Sequence, residues 1–357
     1  MSVLPYTQTR HWHWLEDGRI QCDLCPRECR LQAGQRGLCF VRMRKNDELL
    51  LTTYGRSSGF CVDPVEKKPL NHFFPGTPVF SFGTAGCNLS CKYCQNWDMS
   101  KSRQMDILAN QAMPETIAQA AQKLECRSVA YTYNDPVIFL EYAVDTARAC
   151  HQLGVKNIAV TAGYISTPAR EDFFSHMDAA NVDLKGFSEN FYRKLTGGHL
   201  QPVLDTLIYL KHETDIWFEI TNLLIPGQND SEDDLKGMLE WIVTELGTDV
   251  PLHFSAFHPD YKMQDTPATP IESLNQARDL ALSYGLDFVY TGNVHDRQGG
   301  STWCPNCGEL LIQRDWYVLG AWGMDDKGCC AKCGTEIPGE FDPLPGNWGA
   351  KCLPVAL

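Results

Sequence analysis

The chain has 357 residues, of which 43% are hydrophobic and 21% charged, a composition that predicts a globular protein. Its formal net charge of −13 argues against recognition of a phosphate backbone, so nucleic acid is not an expected partner. No apolar run reaches the roughly 18 residues of a membrane span, and the N-terminus lacks the features of a secretory signal, so we expect a cytoplasmic protein with no membrane partner. Sixteen cysteines in such a protein indicate metal or cluster ligands rather than disulfides.

The first cysteine-rich segment spans residues 22–39. Its cysteines have the spacing C-x2-C-x3-C-x9-C and are Cys22, Cys25, Cys29 and Cys39. Pro26 and two glycines mark turns, which predicts a compact loop module rather than a helix. Four soft ligands so close together suit zinc or an iron–sulfur cluster, and the sequence does not decide between them. Cys61 is a spare or alternative ligand for this second metal site.

A strand-like stretch leads into the segment Gly83–Asp98, which contains the next cysteine motif. Its cysteines have the spacing C-x3-C-x2-C and are Cys87, Cys91 and Cys94. Three thiolates this close in one loop cannot all pair as disulfides, but all three can bind one inorganic cluster. A 4Fe–4S cluster is usually held by four cysteines, so three ligands leave one iron open to a substrate or cofactor. A zinc site would need a fourth ligand, and no further Cys or His lies close by in the sequence.

From residue 78 onwards strand-like and helix-like stretches alternate, which predicts an α/β fold with a parallel sheet. The strand-like stretches are Val79–Thr84, Ser128–Tyr133, Asn157–Thr161, Asn181–Lys185, Ile216–Ile225, Leu252–Phe257 and Phe288–Thr291. The clearest helix, Ser231–Leu246, begins with an N-capping serine and repeats its apolar residues at helical spacing. Such sheets bind ligands at the carboxyl ends of their strands. The candidate site residues at those ends are Asn134, Asp135, Asp183, Lys185, Thr221, His258 and Asn293.

Residues 300–357 are richer in glycine, cysteine and tryptophan and lose the helical periodicity. Two C-x2-C-G knuckles predict a zinc-ribbon or rubredoxin-like module that binds zinc or iron. Their cysteines are Cys304, Cys307, Cys330 and Cys333, with Cys329 as an alternative in register. We therefore expect three parts: an N-terminal four-cysteine module and connector at 1–75, a core at 76–299, and a C-terminal metal-binding module at 300–357.

The C-x3-C-x2-C motif, with Tyr93 before its last cysteine, resembles the signature of radical S-adenosylmethionine (SAM) enzymes. The resemblance implies a partial (β/α)6 barrel whose open iron binds SAM. One electron from the 4Fe–4S cluster would cleave SAM to methionine and a 5′-deoxyadenosyl radical, which abstracts hydrogen. The motifs TYNDP, VTAGY, DLK, PGQND and TGN are similar to the branch of pyruvate formate-lyase-activating enzymes. With CxLCPRxC and EKKPLNHF, they are most similar to the radical SAM enzyme of the AmmeMemoRadiSam system.

The resemblance also implies roles for the site residues. Asn134 and Asp135 would meet the SAM amino group, although the branch usually has Glu where this chain has Asp135. Asp183 and Lys185 would contact the methionine carboxylate end. The rest of the expected cofactor-binding set is His258 on the ribose side, Tyr93 near the adenine, Thr221 and Asn293.

We therefore expect a radical SAM enzyme whose substrate the sequence does not identify. The hydrogen donor is either a glycine of a partner protein, as in glycyl radical enzymes, or a small molecule or a different macromolecule. Expected partners are an electron donor such as flavodoxin or ferredoxin, and Memo-like and AmmeMemoRadiSam A-type proteins. The competing hypothesis is a multi-cluster iron–sulfur electron carrier or a zinc-ribbon adaptor without SAM chemistry.

Overall fold

The computed structural model describes residues 6–102, 108 and 110–357. The N-terminal part contains short strands. They are β1 (Thr7–Gln8), β2 (Trp12–Trp14), β3 (Ile20–Cys22), β4 (Arg30–Leu31), β5 (Arg42–Lys45), β6 (Glu48–Leu51), β7 (Arg56–Ser57) and β8 (Phe60–Pro64). The first six form two small antiparallel sheets, ordered β1-β6-β5 and β2-β3-β4. Of the first metal-ligand candidates, Cys22 ends β3, and Cys25, Cys29 and Cys39 lie in the loops between β3 and β5, as the Pro and Gly positions predicted.

The core is a nine-stranded sheet that contains seven parallel strands. Strands of this region are β9 (Pro78–Phe82), β10 (Asn110–Gln111), β11 (Ser128–Tyr131), β12 (Lys156–Thr161), β13 (Ala179–Asp183), β14 (Trp217–Leu224), β15 (Leu252–Ala256) and β16 (Val289–Gly292). Their order is β16-β15-β14-β13-β12-β11-β9, and β10 pairs with β7 instead. The predicted α/β fold with a mostly parallel sheet is confirmed, with one parallel strand more than the six that the resemblance implied.

Helices connect the parallel strands and cover the sheet. They are α1 (Trp97–Ser100), α2 (Pro114–Lys123), α3 (Leu140–Gln152), α4 (Thr167–Phe174), α5 (Glu189–Phe191), α6 (Gln201–Glu213), α7 (Glu232–Glu245) and α8 (Ile271–Ser283). Helix α7 begins as predicted, because the Ser231 hydroxyl accepts a hydrogen bond from the Asp234 backbone N–H at 3.2 Å. Its buried residues, Leu235, Met238, Leu239 and Ile242, repeat at helical spacing and form its inner face. No helix in the described part of the chain is long and apolar enough to cross a membrane.

A buried ion pair fastens the N-terminal part to the core. The Arg42 guanidinium donates to both carboxylate oxygens of Glu141 in α3, at 3.1 and 2.6 Å, and its Nε donates to the Ile138 carbonyl. The two side chains are only 1% and 4% exposed, so neither charge can be compensated by water. Removal of either partner would leave the other charge buried alone, so this pair is costly to break.

The C-terminal module is a small antiparallel sheet with two cysteine knuckles. Its elements are α9 (Arg297–Gly300), β17 (Thr302–Trp303), β18 (Leu310–Asp315), β19 (Val318–Trp322) and β20 (Leu353–Val355). The sulfurs of Cys304 and Cys333 are 3.6 Å apart, and those of Cys307 and Cys330 are 3.7 Å apart. A tetrahedral ion with zinc–sulfur bonds of about 2.3 Å separates its sulfurs by about 3.8 Å, so the four thiols have the geometry of a single-ion site. Cys329 lies outside this group.

The nine-stranded sheet includes strands from all three predicted parts of the chain. The boundaries between those parts stay predictions. Strand β8, N-terminal to residue 76, pairs with β9, and β20 from the C-terminal module pairs with β8. This pairing brings the Cys61 and Cys352 sulfurs to 3.1 Å, and the Cys352 sulfur to 3.0 Å from an oxygen of Asp63. Cys61 thus lies with the C-terminal strand and is not a ligand of the first cysteine motif.

We predict that Glu141→Ala lowers the free energy of unfolding by about 3–5 kcal/mol, because it leaves the Arg42 charge buried without its partner. Urea unfolding of the purified protein measures the change. The matched control is Glu232→Ala, which removes an exposed ion pair with Lys236 and should leave the unfolding midpoint unchanged. Equal destabilisation by both substitutions would contradict the special role of the buried pair.

We also predict that Cys330→Ser removes one metal ion per chain, whereas Cys329→Ser, at the neighbouring position, retains it. Only the Cys330 sulfur belongs to the group of four thiols that lie within 4.8 Å of one another. Metal analysis of the purified variants by mass spectrometry gives the stoichiometry. A loss of metal in the Cys329 variant alone would show that the alternative register is the correct one.

Candidate active site

The parallel register aligns polar side chains from successive strands in one row across the sheet. Asp183 of β13 is paired with Thr221 of β14, and Thr221 with His253 of β15. Side chains in register on parallel strands point to the same face of the sheet. Asp183 and Thr221 line the same cavity, although they are 38 positions apart in the chain.

The cysteine loop follows β9 and is clamped to the next strand end by Asn134. The Asn134 side-chain oxygen accepts from the Thr84 N–H at 3.0 Å, and its amide nitrogen donates to the Gly86 carbonyl at 2.8 Å. A side chain at Gly83 would collide with the Thr132 carbonyl and with Asn134. Asn134 is thus a positioning residue of the cysteine loop, and its hydrogen-bonding groups are already occupied. Its expected contact with the SAM amino group stays a prediction.

The other side of the same loop rests on the N-terminal module. Gly86 has a φ of +81°, and a Cβ there would collide with the Cys39 carbonyl oxygen. The Arg27 guanidinium donates from Nε to the Asn88 carbonyl at 2.7 Å, and Asn88 donates to the Tyr164 carbonyl at 2.8 Å. Only glycine tolerates both the left-handed backbone and the close approach at position 86.

The three cysteines of this loop and most of the predicted polar residues line one cavity of about 290 Å³ that opens to solvent. The predicted residues in its wall are Cys87, Cys91, Cys94, Tyr93, Asn134, Asp135, Asp183, Lys185, Thr221 and Asn293. The tertiary structure therefore brings these sequence candidates together at the carboxyl ends of the parallel strands.

Asp183 and Lys185 form an ion pair in the cavity wall, with 2.8 Å between the Lys185 Nζ and a carboxylate oxygen. Burial by itself would lower the pKa of Lys185, but the Asp183 carboxylate and Cys91 outweigh it and raise the pKa above its ordinary value. Lys185 therefore remains a cation at neutral pH. Such a cation can donate a charge-assisted hydrogen bond to a carboxylate.

Asp135 lies at the start of a short 3-10 turn and is 5% exposed. Its carboxylate accepts from the Val137 N–H, the Thr161 hydroxyl and the Ala162 N–H at 3.0–3.1 Å. Burial nevertheless raises the pKa of Asp135 to about 6. These three donors tie two strand ends together, so Asp135 positions the cavity wall. Its expected contact with an ammonium group stays a prediction.

Two observations test whether a cluster and a polar ligand fit this cavity. The Thr221 hydroxyl is buried in the wall and has no hydrogen-bond partner among the described residues, so a polar ligand would satisfy it. Burial raises the pKa of the Cys87 thiol to about 12 and moves that of Cys91 in the same direction. Stable thiolates at these positions therefore need a cationic partner such as iron. The residues present fit both groups.

His258 lies away from this cavity. It is exposed, and it is absent from the cavity wall in the described part of the chain. Asn293 does line the wall, and its amide donates to the Ala256 carbonyl at 3.2 Å. The expectation that His258 reaches the ribose stays a prediction that this geometry does not support.

Sequence reasoning missed a second, smaller cavity beside the first. The two share four wall residues, which are Lys67, Pro69, Ser255 and Asn293. The second is lined by Glu66 and by Arg314 of the C-terminal module, whose charged atoms are 3.9 Å apart. Within the described residues, Oε2 of Glu66 and Nε of Arg314 have no hydrogen-bond partner. The charged EKKPLNHF segment was the only available signal for this cavity.

Comparisons with known proteins agree with the cysteine motif. The family profile of the Radical SAM superfamily matches residues 82–242. The uncharacterized protein MJ0808 of Methanocaldococcus jannaschii is 41% identical over 324 residues, which cover 90% of this chain and 96% of that protein. The pyruvate formate-lyase-activating enzyme of Clostridium pasteurianum is 22% identical over 51% of this chain and 81% of its own.

Among solved structures, a domain of the pyruvate-formate lyase-activating enzyme from Bacteroides vulgatus matches with a TM-score of 0.42 and 18% identity. The match covers 46% of this chain and 99% of that domain. The profile match begins at the last residue of β9 and includes the cysteine loop and the strand ends up to α7. The chain belongs to the radical SAM superfamily, whose members use a 4Fe–4S cluster and SAM.

Proposed function

We propose that this chain binds SAM in the cysteine-lined cavity and uses it to abstract hydrogen from a further substrate. The observation that carries the proposal is the cavity itself, in which Cys87, Cys91 and Cys94 lie beside the Asp183–Lys185 ion pair. Three thiols supply an incomplete ligand set for a 4Fe–4S cluster, and the polar groups beside them match a zwitterionic ligand.

In this proposal the three cysteines hold the cluster and the strand-end residues bind SAM. When bound, the two groups supply a one-electron cleavage of SAM that yields a hydrogen-abstracting 5′-deoxyadenosyl radical. Lys185 donates to the carboxylate of the methionine moiety, and the unpartnered Thr221 hydroxyl contacts the same ligand. Asn134 holds the cysteine loop in place. The aromatic wall at Tyr93 excludes water from the adenine side.

The second cavity supports a position for the hydrogen donor. It adjoins the SAM cavity through Lys67, Ser255 and Asn293. Glu66 and Arg314 give it one buried group of each charge, which suits a polar or zwitterionic substrate group. A reacting hydrogen must be held close to the radical centre, and a binding site in direct continuity achieves that.

The substrate itself is either a small molecule or a glycine of a partner protein. The similarity to an activating enzyme supports the second class, in which the partner is a glycyl radical enzyme. The motif resemblance to the AmmeMemoRadiSam system supports Memo-like and A-type proteins as partners instead. In each case a flavodoxin or ferredoxin is the expected electron donor. Transfer of deuterium from a labelled donor into 5′-deoxyadenosine would identify the substrate class.

We predict that the reconstituted, reduced protein converts SAM to 5′-deoxyadenosine and that Cys91→Ala abolishes this product. Without the third thiolate, the cluster cannot be held in the cavity. Anaerobic assays with product detection by chromatography measure the turnover, and electron paramagnetic resonance follows the effect of SAM on the reduced cluster. Cys126→Ala, at a buried thiol outside the cavity, is the matched control and should retain product formation.

A different result would favour the competing function. If the wild-type cluster is reduced but its spectrum ignores SAM and no 5′-deoxyadenosine forms, the chain is an iron–sulfur electron carrier or a zinc-ribbon adaptor. In that case the polar residues at the strand ends have no ligand to bind.

We further predict that Lys185→Met weakens SAM binding by about 10- to 100-fold, the loss expected for one charge-assisted hydrogen bond of about 1.5–3 kcal/mol. Equilibrium dialysis against labelled SAM measures the dissociation constant. Lys156→Met is the control, because Lys156 pairs with Asp178 at the amino end of β12, away from the cavity. Equal SAM affinities of the two variants would show that Lys185 does not contact SAM.

A further inference from the structure

The four cysteines of the N-terminal motif face one small cavity. Cys22, Cys25 and Cys39 are buried, and Cys29 is half-buried. Gly37 lies in the same wall, and a Cβ there would be 3.6 Å from the Cys29 sulfur and 3.7 Å from the Cys39 sulfur. The thiols therefore converge from separate turns of the chain, which incidental free thiols do not require.

The spacing of these sulfurs differs from that of the C-terminal site. The C-terminal four lie within 4.8 Å of one another, as expected around one ion. In the described part of the chain, no three of the four N-terminal sulfurs meet that limit, and neither do those of Cys87, Cys91 and Cys94. A polynuclear cluster binds its cysteines through different irons and so holds them further apart than one ion does. The N-terminal four share the wider spacing of the superfamily's own cluster ligands.

The surroundings of the cavity favour an anionic group. The Leu38 backbone N–H donates to the Cys29 sulfur at 3.5 Å. The side chains of Arg27 and Arg42 line the cavity, and the Arg42 charge is balanced by Glu141, which leaves Arg27 as the free positive charge of the described wall. The Nη2 atom of Arg27 is buried and has no hydrogen-bond partner among the described residues. Backbone donors and positive charge around the sulfurs stabilise thiolate-bound iron–sulfur clusters.

We propose that Cys22, Cys25, Cys29 and Cys39 bind a second iron–sulfur cluster, whereas the C-terminal cysteines bind a single ion. The second cluster lies directly behind the loop that carries Cys87, because the Cys39 carbonyl touches Gly86 and Asn88 lines the N-terminal cavity. The two clusters thus share one stretch of backbone as their common wall. Cluster binding by the N-terminal cysteines does not require any reaction with SAM.

The test uses the full chain with Cys87, Cys91 and Cys94 all changed to alanine, reconstituted anaerobically with 57Fe and sulfide. We expect this variant to retain acid-labile sulfide at about two to four atoms per chain, with a matching Mössbauer signal of thiolate-ligated clustered iron. Further substitution of Cys25→Ser and Cys29→Ser should remove the sulfide. The matched control adds Cys304→Ser and Cys307→Ser instead, which should leave the sulfide in place and remove one metal ion.

Sulfide is the decisive readout, because a single zinc or iron ion binds without it. The proposal is overturned if the triple alanine variant contains no acid-labile sulfide, or if its sulfide survives the Cys25 and Cys29 substitutions. Where those serine substitutions prevent folding, the triple variant decides the question alone. Its ratio of iron to sulfide then distinguishes clustered iron, with nearly equal amounts, from an isolated ion.

Discussion

The candidate site depends on the contacts that hold the cysteine loop in place from two sides. On one side Asn134 donates to the Gly86 carbonyl and accepts from Thr84, and on the other Gly86 packs against the Cys39 carbonyl. A loop that presents several thiols to one cluster must hold its backbone still, because the ligand positions leave little freedom. Here the core sheet and the N-terminal module each supply half of that constraint. Loss of either contact would displace Cys87, which follows Gly86 directly.

The parallel sheet places polar side chains beside the cysteine loop and so completes the site. Its register aligns Asp183 with Thr221, so polar groups from distant parts of the chain lie in one cavity with the cluster ligands. Burial then determines what they can do. Lys185 stays cationic because it forms an ion pair with Asp183. The Asp135 carboxylate is fixed in the cavity wall because it accepts three hydrogen bonds. The same burial makes the unpartnered Thr221 hydroxyl a marker for a polar ligand.

The distances between sulfur atoms distinguish the C-terminal cysteines from the other two sets. The C-terminal sulfurs are 3.6 and 3.7 Å apart in pairs, as around one ion, whereas the N-terminal set and the loop set are wider. Their sequence spacings do not make this distinction, because C-x2-C pairs occur in zinc sites and in clusters alike. The separation of sulfurs depends on how the turns of each module pack. Arg27 connects the two wide sets, since it lines the N-terminal cavity and donates to the Asn88 carbonyl.

Sequence alone determined the elements whose signals are local. The cysteine spacings, the alternation of strands and helices, and the Ser231 cap of α7 each depend on residues a few positions apart, so they could be predicted from the chain. Only the tertiary structure showed that Cys61 meets Cys352, that His258 lies outside the cavity, and that Glu66 and Arg314 form a second cavity beside it. These outcomes depend on contacts between residues up to 291 positions apart, and no local pattern encodes which distant side chains burial brings together.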